Sequence, residues 1–231
     1  DWSVIGEDPK FPTDDVIVAF CSVTDPQYKL PADPAAADCT PAIQRALDDA
    51  SAAGGGTVFI PEGRYRLEGM LTIESNVVLR GRWSLIGPDR PAEGTILMIH
   101  NQEHEQSVLL TGSGCGVRDL TFWHPEQQVT ESAESASKSP LVIRGQAGTV
   151  TIENITLINP YRGIDLSQAS ACCLRGIYGS PLHCGLSADR SFAVSRYDSI
   201  HFSPDYWSWS KLPDSPPEGG AHADYMRKHG T

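Results

Sequence analysis

The first regular pattern of hydrophobic positions in this chain has the period of an α-helix and lies between residues 40 and 53. The apolar residues that share one helical face are Ile43, Ala46, Leu47 and Ala50. Thr40 is a suitable N-cap, Pro41 suits the first helical position, and three glycines at 54–56 would stop the helix. We therefore predict an amphipathic helix over 40–53.

After the glycines the pattern changes to short alternating runs, which indicate β-strands at 57–60 and 64–67. Within 149–157 the alternation slips by one. Val150 and Ile152 share one parity, whereas Ile155 and Leu157 share the other. A straight strand would turn its second half outward. A sharp corner at Asn154 keeps all four side chains inside, as in a coil that turns between two sheets.

The same slip recurs along the chain, which predicts a stacked solenoid. The predicted corners are Asn76, Asp119, Asn154, Gly176 and Ser199. From residue 119 onward the repeat is about 22 residues once the polar run 127–139 is set aside as an inserted loop. Each later corner is followed by a proline that should mark the end of a strand, namely Pro125, Pro160, Pro181 and Pro204.

These repeats predict an all-β fold, a right-handed parallel β-helix with an N-terminal capping α-helix. We divide the chain into a lead-in segment, 1–38, with one strand near 16–20, and a β-helix domain, 39–231. The chain stops without a closing strand, so we expect the solenoid to be truncated. We further expect its open end to be covered by a missing C-terminal segment or a second chain.

Composition narrows the classes of partner. The formal net charge of -11 disfavours nucleic acid and anionic lipid, and no apolar run is long enough to span a membrane. The same charge argues against polyanionic substrates unless a local basic groove is present. The six cysteines form no zinc motif, and buried thiols are favoured over a Cys21–Cys39 disulfide. We expect no cofactor and no metal.

Three stretches, D-C-T-P-A-I-Q-R-A-L-D-D-A, G-G-G-T-V-F-I-P-E-G-R-Y-R-L and S-N-V-V-L-R-G, occupy 38–82. They resemble the N-terminal repeat of the pectate-lyase-like β-helix superfamily. Later segments, including N-P-Y-R-G-I-D-L and H-F-S-P-D-Y-W, resemble bacterial proteins related to glycoside hydrolase family 28. The resemblance implies a β-helix that acts on polysaccharides. The family's N-T-D, D-D, G-H-G and R-I-K motifs are missing from comparable coils, so it does not transfer a mechanism.

Candidate chemistry lies just past the aligned prolines, where equivalent positions of successive coils form a ladder. The candidates for substrate binding there are Tyr161, Arg162, His183, Tyr206, Trp207 and Trp209. Carboxylates two coils apart are about 9–10 Å apart, near the spacing of an inverting hydrolase. We therefore expect Asp165 and Asp205 to form an acid/base pair, with Glu126 as the alternative partner.

Each candidate also has a structural interpretation. Asp165 would only satisfy turn amides, Arg162 would form a salt bridge, and His183 would be structural. Trp207 and Trp209 would stack on sugars or pack under a loop. His100 and His104 have no regular ligand spacing, so a solvated loop is favoured over a metal site.

The leading functional hypothesis is a glycoside hydrolase that binds a polysaccharide or oligosaccharide. The alternatives are a polysaccharide lyase or uronate epimerase, and a non-catalytic glycan-binding or tailspike-like solenoid. The start of the chain, Asp1-Trp2-Ser3, is typical of a mature N-terminus, so a secreted or periplasmic location is expected.

Overall fold

The computed structural model describes residues 19–101, 103–129, 139–146, 148–189 and 194–230. Its strands are β1 Cys21–Ser22, β2 Gly56–Phe59, β3 Gly63–Leu67, β4 Leu71–Ile73, β5 Val77–Arg80, β6 Thr95–Ile99, β7 Gln106–Leu110, β8 Cys115–Trp123, β9 Leu141–Gly145, β10 Thr149–Ile158, β11 Arg162–Asp165, β12 Ala171–Gly179, β13 Cys184–Ser187 and β14 Arg196–Phe202. Its helices are α1 Thr40–Ala52, α2 Asp205–Ser210 and α3 Ala221–His229.

The strands form two sheets that share the coils of one solenoid. The nine-stranded sheet runs β1-β2-β5-β8-β10-β12-β14, and β6 joins β3 to β8. The five-stranded sheet runs β13-β11-β9-β7-β4. The ladders between successive strands are parallel, as in β8, β10 and β12. Two strands that pair in a parallel ladder must be joined by a crossover connection, and crossovers of this kind are right-handed. The predicted parallel β-helix is confirmed.

The predicted corners are also confirmed. Asn76, Asp119, Asn154, Gly176 and Ser199 all have positive φ, between 52° and 67°. Only glycine, asparagine and similar small polar residues reach this left-handed region at little cost. At the centre of the row, Asn154 Nδ2 donates to Asp119 Oδ1 at 2.8 Å, and Arg80 Nε donates to Asp119 Oδ2 at 2.7 Å. The corner side chains thus bond from one coil to the next.

The core is built of ladders of inward side chains. One ladder joins residues that pair in register, namely Val58, Leu79, Val117, Ile152 and Leu174. All five are fully buried. Burying a side chain of this size stabilises a fold by about 1.5–3 kcal/mol. Tyr197 pairs with Leu174 but is 41% exposed, because β14 has no further strand beside it in the described chain.

Helix α1 covers the other end of the solenoid with the predicted apolar face. Its start differs from the prediction, since Thr40 is already helical and Cys39 occupies the N-cap position. The Asp38 carboxylate performs the capping role, because Oδ1 accepts bonds from Thr40 N at 2.9 Å and Glu68 N at 3.0 Å. Gln44 pairs its amide group with both backbone groups of Thr72, which protects the edge strand β4.

The predicted prolines each follow a strand end by two residues, after Trp123, Ile158, Gly179 and Phe202. All six cysteines are free, so the Cys21–Cys39 disulfide is not formed. Most of the expected strand at 16–20 and most of the inserted loop 127–139 lie outside the described residues. Within the described chain no helix has the length and apolar character needed to cross a membrane.

Candidate functional site

A cavity of about 510 Å³ opens where chain segments enter the five-stranded sheet. Its lining residues are His104, Glu105, Ser139, Pro140, Tyr161, Arg162 and His183. Glu105, Pro140, Tyr161 and His183 directly precede strands β7, β9, β11 and β13. Because these strands are neighbours in the sheet, the stacked turns bring residues that are distant in sequence to one wall.

The wall contains a rigid aromatic stack. The rings of Tyr161 and His183 lie parallel within 19°, with centroids 5.2 Å apart. Their backbones are fixed between coils, since Tyr161 N donates to Ser139 Oγ at 3.0 Å and His183 N donates to Tyr161 O at 3.0 Å. Tyr161 also packs in a small cluster with Leu182 and Tyr225, so helix α3 supports the stack from behind. A phenol and an imidazole are thereby held together at the cavity.

The cavity is locally cationic although the protein is acidic. Arg162 is exposed, and no described carboxylate lies within ion-pair distance of it. Arg144 is mostly buried, and its Nη1 lies 3.7 Å from Glu105 Oε2. Its Nε is buried and meets no acceptor among the described residues. Since Glu105 is 82% exposed, water screens that ion pair and it neutralises Arg144 only weakly.

A buried polar layer lies nearby at the turns before β9 and β11. Burial lowers the pKa of His124 to about 3, with His100 as a lesser cause, so His124 is neutral at physiological pH. Asn159 Nδ2 donates to the carbonyl oxygen of Gln127 at 2.7 Å. Glu126, the alternative acid of the sequence analysis, accepts from or shares a proton with His100 Nδ1 at 2.7 Å. It is not among the residues that line the cavity.

The expected pairing of Asp165 with Asp205 is not supported by the structure. Asp165 ends β11 in the five-stranded sheet and accepts bonds from Ser167 N at 3.0 Å and Ser167 Oγ at 2.6 Å, which is the turn interpretation. Asp205 begins α2, which packs on β10 and β12 of the nine-stranded sheet. The prolines do align, but the chain beyond Pro204 turns into a helix instead of entering the five-stranded sheet.

The same helix moves the predicted aromatic residues away from the cavity. Tyr206 and Trp207 are only 5% and 9% exposed, in a cluster on the outside of the nine-stranded sheet. Trp209 is half-buried, and its Nε1 donates to Glu218 at 2.8 Å. Of the predicted binding residues, the structure therefore brings together Tyr161, Arg162 and His183.

Sequence reasoning missed several residues of the site. His104 is expected from the sequence only in a solvated loop, and Ser139, Pro140 and Arg144 are not identified as candidates. The signal was present, because the apolar runs of β7 and β9 follow Glu105 and Pro140 directly. The polar insertion before β9 hid the repeat. Among the described residues, no group of three or more His, Cys, Asp or Glu side chains could hold a metal ion.

Comparison with known proteins agrees with this architecture. The family model described as rhamnogalacturonase A/epimerase, pectate lyase-like, matches residues 27–96. Mannuronan C5-epimerase AlgE3 of Azotobacter vinelandii is 53% identical over 53 residues, which are 20% of this chain and 3% of that protein. Alginate lyase 7 of the same organism is 49% identical over 51 residues, 19% of this chain and 6% of that protein. The chain thus spans a small part of the curated relatives it matches.

A solved structure extends the similarity to most of the chain. A Parabacteroides merdae protein, assigned provisionally as a glycosyl hydrolase, superposes with a TM-score of 0.53 and 16% sequence identity. The match covers 86% of this chain and 98% of that one. At this identity the likeness concerns the fold alone. The chain therefore has the fold of a right-handed parallel β-helix, and its residues 27–96 are similar to the rhamnogalacturonase A/epimerase, pectate lyase-like family.

Proposed function

We propose that the cavity binds an acidic sugar of a polysaccharide and removes the proton next to the sugar carboxylate. The reaction would be C5 epimerisation or β-elimination of a uronate. The observation that carries this proposal is Arg162, which lines the cavity without an ion-pair partner in the described chain, beside the Tyr161–His183 stack. Unpaired guanidinium groups bind carboxylates strongly because they donate in a fixed fork.

The residues fit the needs of that chemistry. Arg162 would bind the uronate carboxylate and stabilise the charge that develops on it when the C5–H bond breaks. His183 would accept the C5 proton. Tyr161, stacked beside His183, would then donate a proton to the departing O4, which gives elimination. In epimerisation C5 would instead take a proton from water on the opposite face of the sugar. Arg144, whose guanidinium lies 3.7 Å from the lining residue Glu105, would add positive charge near the cavity.

Glycoside hydrolysis is the second candidate. It is supported by the structural similarity to the Parabacteroides merdae protein, assigned provisionally as a glycosyl hydrolase. A hydrolase of the usual kind needs two carboxyl groups about 5–9.5 Å apart. Among the described lining residues Glu105 is the one carboxylate. The short matches to mannuronan epimerases and an alginate lyase favour the uronate chemistry instead.

The test is solvent exchange at C5. The protein would be incubated in deuterium oxide with polymannuronate and, separately, with polygalacturonate. Proton NMR would detect deuterium at C5 and inverted residues, ultraviolet absorbance would detect unsaturated uronate, and a reducing-end assay would detect hydrolysis. We expect exchange or elimination with at least one polyuronate. New reducing ends without either would favour the hydrolase, and no turnover of any kind would favour a binding protein.

Variants identify the responsible residues. Arg162→Ala should lower kcat/KM by about 10²–10³-fold, with partial recovery in Arg162→Lys, because a positioned charge that stabilises a transition state contributes on this scale. Asp165→Asn is the matched control, since Asp165 serves a turn. Loss of turnover in Asp165→Asn together with normal turnover in Arg162→Ala would contradict the proposal.

A further inference from the structure

A second group of aromatic rings lies on the outside of the nine-stranded sheet, apart from the cavity. Three half-buried rings come from three separate segments: Trp83 from the loop between β5 and β6, Tyr178 from β12, and Trp209 from α2. Trp83 and Tyr178 are parallel within 19°, with centroids 5.8 Å apart. The ring of Tyr206 lies between Tyr178 and Trp209. We call these four rings together the aromatic strip, namely Trp83, Tyr178, Tyr206 and Trp209.

The strip is continuous. Tyr206 lies 6.0 Å from Tyr178 and 5.7 Å from Trp209, measured between ring centroids, and it is buried beneath them. None of the four rings lines the cavity. The loop between β5 and β6 is joined to the end of α2, because Ala92 N donates to Ser210 O at 2.9 Å. The rings are thus part of one ordered surface and not of a single mobile loop.

The polar atoms of three of the four rings, Trp83, Tyr206 and Trp209, are already satisfied within the protein. Trp83 Nε1 donates to Thr156 Oγ1 at 2.7 Å, and the Tyr206 hydroxyl bonds to His201 Nδ1 at 2.8 Å. Trp209 Nε1 donates to Glu218 Oε1 at 2.8 Å. These bonds fix the orientation of the rings. What the strip offers to a partner is therefore rigid ring surface, which binds at little cost in side-chain entropy.

The charge of the strip selects the partner. Among described residues, the charged side chain hydrogen-bonded to these rings is the Glu218 carboxylate. An acidic glycan would be repelled here, in contrast to the cationic cavity. The apolar faces of neutral sugar rings can stack on aromatic side chains without placing a charge near Glu218. We propose that the aromatic strip is a binding site for a neutral polysaccharide, separate from the cavity.

The test is affinity electrophoresis of the whole protein in native gels that contain β-1,4-glucan, glucomannan or xylan, with polymannuronate as the acidic comparison. We expect retardation by at least one neutral polysaccharide. Tyr178→Ala and Trp209→Ala should each weaken that retardation about tenfold, as expected for the loss of one aromatic stacking contact worth about 1.4 kcal/mol. Trp209→Phe keeps a ring and should weaken it less.

Two controls separate this proposal from the proposed function. Tyr197→Ala removes an exposed aromatic outside the strip and should leave retardation unchanged. Arg162→Ala should weaken the interaction with polymannuronate but not with the neutral polysaccharide. Thermal unfolding of each variant verifies folding. The proposal is overturned if no neutral polysaccharide retards the protein, or if retardation persists in folded Tyr178→Ala and Trp209→Ala variants.

Discussion

The corner residues show how single side chains determine the shape of the solenoid. Asn154 combines two properties, since its backbone occupies the left-handed region with φ of 52° and its side chain bonds to Asp119 of the preceding coil. The first property depends on residue type alone and can be predicted from sequence. The second requires that Asn154 and Asp119 be in register, which only the stacked structure supplies.

Asn154→Ala should lower the free energy of unfolding by about 1–3 kcal/mol, because alanine is strained at positive φ and cannot donate to Asp119. Asn154→Gly keeps the backbone conformation and should lose less. Urea denaturation measures both. Thr149→Ala, at an exposed position of the same strand, is the control and should change stability by less than about 0.5 kcal/mol. Equal stability of Asn154→Ala and the control would contradict this account of the corner.

The elements illustrate where sequence patterns suffice and where they fail. The face of α1 was predictable because helical periodicity is a local signal, and the four residues chosen from it are buried. Helix α2 was not predictable, because Tyr206, Trp207 and Trp209 are large and β-prone, and only packing on the outside of the nine-stranded sheet makes the helix stable. That single error moved three predicted binding residues to a different face.

The capping helix gives a prediction at this scale. Asp38→Ala removes the carboxylate that bonds to Thr40 and Glu68, and it should destabilise the protein by about 1–2 kcal/mol, as the loss of a helix cap does. Asp38→Asn keeps an acceptor oxygen and should lose less. Hydrogen exchange should locate the faster exchange in α1.

Asp89→Ala is the matched control for the capping prediction, since Asp89 is exposed and takes part in no described hydrogen bond. It should leave both stability and exchange unchanged. Faster exchange spread evenly over all strands in Asp38→Ala would show that Asp38 does not act through the helix.

On the scale of the whole molecule, charge and burial are distributed unevenly. The net charge of -11 argues against acidic substrates, yet the cavity gathers Arg162 and two histidines, and Arg144 lies beside its lining residue Glu105. Composition reports the sum of charges, whereas a binding site depends on their local arrangement. The cationic cavity could be found only after the strand order was known, because its residues come from four separate turns.

Two buried histidines make stability depend on pH. Burial lowers the pKa of His124 to about 3 and that of His222 to about 4, from 6.5 in the unfolded chain. At a pH between the folded and the unfolded pKa of each histidine, the unfolded state binds a proton that the folded state does not. The free energy of unfolding therefore falls as pH decreases below about 6.5. At pH 5 each histidine should cost up to about 2 kcal/mol relative to pH 7.5. Urea midpoints at the two pH values measure this.

Replacement of the histidines isolates their effect. His124→Gln and His222→Phe should each reduce the loss of stability between pH 7.5 and pH 5, whatever their effect at pH 7.5. Carboxylates titrate mostly below this window and contribute little to the difference. An unchanged pH dependence in the double variant would show that other groups are responsible.

One edge of β14 has no neighbouring strand among the described residues, and this has a mechanical consequence. Helix α1 covers the first coil, whereas in the described chain β14 is bonded to β12 alone. Each coil is held chiefly by its neighbours, so a pulling force would peel the solenoid from β14 towards α1, one coil at a time. Refolding would proceed in the opposite direction, with every completed coil serving as the template for the next. The protein would then unfold and refold in steps of about 22 residues, the length of one repeat.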